Sequence, residues 1–271
     1  MVFRGILIIS LALGITAFSV MPDQQPQLKN RSFTSGELLQ YKVFFGFFNV
    51  GRASTQVDPK IHHIKGNSCY KIDAFGETSG MVSWITKVND NWGAYIDTAA
   101  LIPHISYRKL REGKYRKDEM VTFDHVTQKA EVKVLDETRG EYGEGKIFDV
   151  PNHVRDLVGG FVYLRVIDFA KMKKGEMFTI SGFHEDKAYD LQVTFHGTET
   201  IKTDIGKIPC YKLVPEVPDN QLFDGKNSVT CWISADQNKI PVKISAKMFI
   251  GSTGLELSGF KGLRNQLKVV F

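Results

Sequence analysis

Trp232-Ile-Ser-Ala-Asp-Gln-Asn-Lys-Ile-Pro-Val-Lys-Ile-Ser245 enters as a strand, turns over Asp236 and leaves as a second strand. Val229, Cys231 and Ile233 recur at every second position before the turn, and Val242, Ile244 and Ala246 do so after it. A period of two places alternate side chains on opposite faces of a sheet, and the Ile-Pro step marks where the returning strand begins. The same phrase stands earlier in the chain, where Trp92 leads through Ile96-Asp97 to Leu101-Ile-Pro-His-Ile-Ser106.

Working outward, the correspondence extends to whole halves. Cys69-Tyr70-Lys71 recurs as Cys210-Tyr211-Lys212, and a Gly-Glu pair opens each strand-rich region at Gly36-Glu37 and Gly175-Glu176. Gly-Glu to Cys spans 33 residues in the first half and 35 in the second; Cys to Pro spans 34 and 31. Ordered markers at matched intervals are the signature of an internal duplication. Further alternation in Tyr41/Val43/Phe45, Val121/Phe123/His125 and Leu191/Val193/Phe195 gives more strands. Turn signals at Lys65-Gly-Asn67, Glu112-Gly113, Asp224-Gly225-Lys226 and Gly251-Ser-Thr-Gly254 suit antiparallel meanders.

Between the halves, Val154, Leu157, Val158, Phe161, Val162 and Leu164 follow helical spacing after Asp149-Val-Pro151. This predicts one connecting helix near 152–169, burying a Leu157/Phe161/Leu164 stripe. Its mid-helix Gly159-Gly160 has two readings: close packing of the helix on a sheet, or backbone left bare for a ligand. The expected fold is therefore mainly β: two internally repeated curved antiparallel β-sheet units joined by one α-helix. The expected bounds are 33–148 for the first repeat, 149–174 for the connection and 175–271 for the second repeat.

Residues 1–19 read as an export signal, with Arg4, an apolar run from Gly5 to Ala17 and small residues at Ala17 and Ser19. Residues 20–32 form an exposed, Pro-containing N-terminal segment. No cysteine stands near the cleavage point, which argues against a lipoprotein. The expected localisation is periplasmic or outer-membrane-associated, with no integral span in the mature chain. Across 271 residues, 42% hydrophobic and 24% charged composition excludes a disordered or multi-span chain. The formal charge is +5, falling to +4 without Arg4. Its densest run, Arg108 to Lys117, surrounds an expected hairpin tip and joins no nucleic-acid motif. Cys69, Cys210 and Cys231 fit an oxidising compartment; a Cys210–Cys231 bridge and three free core thiols are both open readings.

Catalytic signatures are missing. Seven histidines fall in no metal-ligand spacing, and neither a Gly-x-Ser-x-Gly elbow nor a phosphate loop occurs. Ser68-Cys-Tyr-Lys71 matches Ser-x-x-Lys in letters, but a strand would turn the two side chains to opposite faces. No catalytic residue, metal or cofactor is expected. One carboxylate pair, Asp97 and Asp236, would meet only if the halves faced each other, as a glycan-active enzyme would require; Asp in such turns ordinarily caps amides. The stretch Tyr41-Lys-Val-Phe-Phe-Gly-Phe-Phe-Asn-Val50 is apolar on both faces, and Phe75, Met81, Trp84 and Ile85 add a second apolar loop. Both read either as core or as the lining of an acyl-chain groove. The candidate ligand-binding residues are Phe45, Phe47, Phe48, Met81, Trp84 and Phe161.

Gly36-Glu37-Leu38 with Tyr41 and Gly51-Arg52-Ala53 resemble the opening of an exported bacterial family, domain of unknown function 3108. Asp156 with Tyr163-Leu164-Arg165 is similar to its central helix. Gly206, Cys210, Pro215, Trp232-Ile233-Ser234, Asp236 and Ile240-Pro241-Val242 are similar to its C-terminal half. The resemblance runs from about Phe33 to Gly259. It implies an exported, mostly β protein of a Gram-negative-type bacterium and carries over no catalytic residue. Three functions are in view: a carrier for a lipid or acylated ligand, a module docking on an envelope protein, and a glycan-active enzyme.

Overall fold

The computed structural model describes residues 28–217 and 225–270. The expected leader at 1–19, and residues 20–27 of the segment after it, lie outside these. In the first half the strands are β1 (Leu38–Phe45), β2 (Phe48–Ile64), β3 (Asn67–Thr78), β4 (Asn89–Asp97), β5 (Pro103–Glu112), β6 (Tyr115–Asp124), β7 (Lys129–Asp136), β8 (Glu141–Tyr142) and β9 (Lys146–Asp149). The second half supplies β10 (Met177–His184), β11 (Lys187–Thr203), β12 (Gly206–Pro215), β13 (Val229–Ser234), β14 (Pro241–Lys247) and β15 (Ser252–Lys261). Helices are α1 (Val82–Ile85) and α2 (Leu157–Leu164), followed by a 3-10 turn at Phe169–Lys171.

All strands belong to one antiparallel sheet, ordered β10-β11-β12-β13-β14-β15-β1-β2-β3-β4-β5-β6-β7-β8, with β9 also on β7. The halves are thus sewn together by β1 lying against β15, from Leu38 opposite Lys261 to Phe45 opposite Thr253. Two-residue turns set the hairpins. Lys65 and Gly66 both take positive φ, as do Glu185 and Asp186, the geometry whose twist matches that of the strands it joins. Irregularities between Val57 and Ile61 in β2, and between Phe195 and Thr198 in β11, bend these long strands and curl the sheet.

The curl brings the far strands near each other. Phe183 of β10 packs edge-on against Phe123 of β6 and beside Phe148 of β9. Residues 150–156 fill the gap: Val150 donates its amide to Gln128 O, and Arg155, bridged in parallel to Gly182 of β10, donates its amide to Ser181 O and accepts from Phe183 N. This is why α2 is shorter than its apolar spacing predicts. The chain before it turns at 152–153, where His153 takes positive φ, and Arg155 is then held on the β10 edge; Asp156 starts the helix by accepting from the amides of Val158 and Gly159 at 3.1 and 3.0 Å.

α2 lies in the concavity of the sheet. Val158 and Val162 pack on Val57, Ile72, Ala94 and Ile96, whereas Leu164 packs with Phe169, Val193, Phe195 and Leu213 on the second half. The buried stripe is therefore Val158/Val162/Leu164, not Leu157/Phe161/Leu164; Leu157 is 47% exposed. Among the described residues there are two α-helices, not one, since α1 stands in the connection between β3 and β4.

Candidate functional site

Two clefts flank α2. One, of about 310 Å3, lies between the helix and the first half of the sheet, where Leu39, Tyr41, Ile72, Ala74 and Trp92 face Val158 and Val162. The other, of about 190 Å3, lies toward the second half, against Ile180, Leu191, Val193 and Leu213. Leu157, Phe161 and Ile244 line both. The helix is a partition in one apolar interior, and its least buried side chains are the dividing wall.

The two glycines of α2 have different jobs. A Cβ on Gly159 would stand 2.9 Å from Asp156 Oδ1 and 3.5 Å from both Arg155 Cβ and Pro103 Cδ. A Cβ on Gly160 would meet nothing within 4 Å. Gly159 thus serves packing, whereas Gly160 presents bare backbone to the second cleft.

Polar groups gather at one end of the larger cleft. Arg165, the C-cap of α2, donates from Nη1 and Nη2 to the two Glu37 carboxylate oxygens at 2.5 and 2.9 Å. It also donates to the carbonyls of Ser32 and Asn238 at 3.1 and 3.0 Å. The Tyr41 hydroxyl is buried with no hydrogen-bond partner at normal geometry, although the Thr55 hydroxyl is near enough to influence it. Burial raises the Tyr41 phenol well above the ordinary range, so it stays protonated.

Of the candidate residues, Phe161 alone lines these clefts. Phe45, Phe47, Phe48, Met81 and Trp84 stand outside them, all exposed, around the β1–β2 turn and α1. Alternation correctly separates the faces of β1, but Phe47 stands in the hairpin turn and Phe48 lies where β2 runs past its pairing with β3, so both project at the sheet end. Residues missed from sequence include Leu157, Ile72, Trp92 and Ile244. Each sits at a period-two or helical position that any core residue would occupy.

The carboxylate pair does not form a catalytic arrangement. Asp97 Oδ1 accepts from the amides of Ala99 and Ala100, both at 2.7 Å, with His104 at 3.4 Å from Oδ2. Asp236 Oδ1 accepts from Ser234 Oγ, Asn238 N and Lys239 N, and its Oδ2 accepts from Lys268 N. Each closes its own turn. Nor is there a bridge between Cys210 and Cys231: β12 and β13 pair Cys210 with Ser234 and Cys231 with Leu213, three positions out of register. At about 3.3 Å per residue that offset exceeds the reach of a disulfide.

A curved, barrel-like antiparallel sheet around a short helix, with apolar clefts beside the helix, defines the class. Within it, the chain belongs to the family described as protein of unknown function DUF3108, whose model matches residues 40–258. The fold is similar to that of a beta-barrel-like protein of domain of unknown function DUF1849 from Brucella abortus. That match has 11% identity and a TM-score of 0.55, covering 85% of this chain and 98% of that one. A candidate lipoprotein from Parabacteroides distasonis aligns at 14% identity and a TM-score of 0.33 over 88% and 100% of the two chains. A candidate exported protein with a YmcC-like fold from Bacteroides fragilis aligns at 8% and 0.36 over 87% and 99%. No curated protein matches the chain. Among the described residues no helix is long and apolar enough to cross a membrane.

Proposed function

We infer that this protein is an exported, non-catalytic carrier of the cell envelope that holds an apolar, lipid-like ligand beside α2. The observation carrying this reading is the pair of apolar clefts on either side of α2, about 310 and 190 Å3, both lined by Leu157, Phe161 and Ile244. Together they fall in the range of sites that enclose small ligands, and a few polar groups at one end would orient the occupant.

The reading includes a duplicated β unit, 33–148 and 175–271 joined by 149–174. Several correspondences support it. β1 and β10 are both 8 residues long, and β2 and β11 both 17. Gly36 donates its amide to Val57 O as Gly175 does to Phe195 O, at 3.0 and 2.8 Å. Each acceptor residue begins the irregularity that bends its strand.

The test is native mass spectrometry of protein purified from its own envelope, followed by solvent extraction, on the natural chain and on Gly160→Phe. A releasable lipid on the natural chain, reduced on the filled variant, is the expected result. A clean apo mass on the natural chain overturns the carrier reading.

A further inference from the structure

The antiparallel order sends the β1–β2, β3–β4, β5–β6 and β14–β15 connections to one end of the sheet. That end is unusually apolar for a surface. Phe47 is fully exposed and Trp84 is 89% exposed, and Phe48, Met81, Ile85, Phe249 and Ile250 project beside them. The tips are neighbours: Gly46 N donates to Ser252 O at 2.7 Å, Ser79 N donates to Val50 O at 3.0 Å, and Gly251 packs on the Phe45 ring. Separate side chains standing free at the ends of hairpins make a row of prongs and no flat face. Isolated full exposure suits insertion into a soft medium better than a close fit to a second protein surface.

A cation-lined depression of about 450 Å3 adjoins the prongs on the outer face, walled by Lys87, Lys109, Arg111 and Arg116 with Asn89 and Asn91. Continuity is direct, since Lys87 follows α1 and its carbonyl accepts from Gly113 N at the β5–β6 tip. Acids do stand here: Asp118 is taken up by Arg111, Glu77 lies 3.7 Å from Arg52, and Glu112 leans on Asp90. Lys87, Lys109 and Arg116 have no ion-pair partner among the described residues, and Lys114 and Tyr115 extend the tip beside them.

We propose that this end is a membrane-docking rim, its aromatic tips entering the interface of an anionic phospholipid bilayer while Lys87, Lys109 and Arg116 meet the head groups. Apolar prongs give insertion at the depth of the head groups, and the cations select negatively charged lipid. The larger cleft reaches Gly76 and Asp90, one residue pair below the end of β3 and β4, so docking would set it against the lipid. The rim is independent of cleft occupancy.

The test is flotation of the full mature chain with vesicles of phosphatidylglycerol and phosphatidylcholine, and of phosphatidylcholine alone, alongside tryptophan emission. The expected result is binding to the anionic vesicles at least about tenfold tighter than to the neutral ones, with a blue shift in emission. Phe47→Ser/Trp84→Ser should abolish binding and the blue shift. Lys109→Glu/Arg116→Glu should weaken anionic binding about tenfold or more. All four positions are exposed, so thermal unfolding should be unchanged. Native mass spectrometry of these variants separates the two readings: a cleft that still carries lipid in a chain that no longer floats supports the rim. No flotation of the natural chain, equal binding to neutral vesicles, or a dimer that the Phe47/Trp84 variant dissolves would each overturn it.

Discussion

Arg165 and Glu37, 128 residues apart in sequence, meet in a two-pronged ion pair that both residues bury almost completely. The pair ties the end of α2 to the start of β1, and Arg165 reaches further to Ser32 ahead of β1 and to Asn238 in the β13–β14 turn. It therefore fixes the position of the helix that separates the clefts. Removing one partner leaves the other charged in a low-dielectric site. Glu37→Ala or Arg165→Ala should cost about 3–5 kcal/mol in denaturant unfolding. The double replacement should cost less than the sum, because no orphan charge remains.

Asp156 should make stability depend on pH. Burial lifts its carboxyl from 3.8 to about 6, even though the Val158 and Gly159 amides pull it the other way. Between about pH 4 and 6 the native state keeps a proton that the unfolded chain has lost, so this group's contribution falls as pH rises through that window. The loss is of order 3 kcal/mol. Asp156→Asn keeps a good helix cap and should flatten the profile, gaining stability at pH 7, whereas Asp156→Ala loses the cap as well. Melting curves across the window distinguish them.

Neighbouring glycines of one helix should respond oppositely to the same change. Gly160→Ala meets no obstacle and should stabilise by up to about 1 kcal/mol through helix propensity. Gly159→Ala drives a methyl to 2.9 Å from the capping oxygen of Asp156 and should destabilise. Equal shifts in midpoint would disprove the division of labour between packing and open cleft.

The three thiols should be silent until the protein unfolds. All are buried and unbridged, and desolvation pushes Cys69 to about 11 and Cys210 and Cys231 to about 12, helped at the first two by Asp97 and Asp236. A thiol held protonated is a poor nucleophile. Thiol titration should find three equivalents in denaturant and none under native conditions, and a reductant should leave the melting temperature unmoved.

Much of the fold was legible because its signals are local. The Asp236 turn, the Ile-Pro entry to β14 and the alternation in β13 report directly on neighbours in sequence. The same holds for the Lys65-Gly66 turn. What escaped was decided at long range. Residues 152–156 carry helical spacing, yet Arg155 bridges Gly182 and takes a strand edge instead. Nothing near Leu38 indicates that Lys261 lies opposite it, so two separate sheets were as consistent with the pattern as one. The candidate site was partly legible for a similar reason. Periodicity tells which residues share a face, and Phe161 follows from it; it does not tell where a hairpin reaches the end of the sheet, which is what leaves Phe45, Phe47 and Phe48 at the rim.

The pairing of β1 with β15 also sets an order of events in time. During synthesis from the N-terminus, β1 emerges first and finds β2 at once, but its other edge stays unsatisfied until residues 252–261 arrive. Pairings so distant in sequence carry a large closure entropy and form late. The nascent chain therefore carries an open seam along its first strand for nearly the whole of translation. The finished sheet is thus a late product of synthesis, closed only once its last strand is available to cover the first.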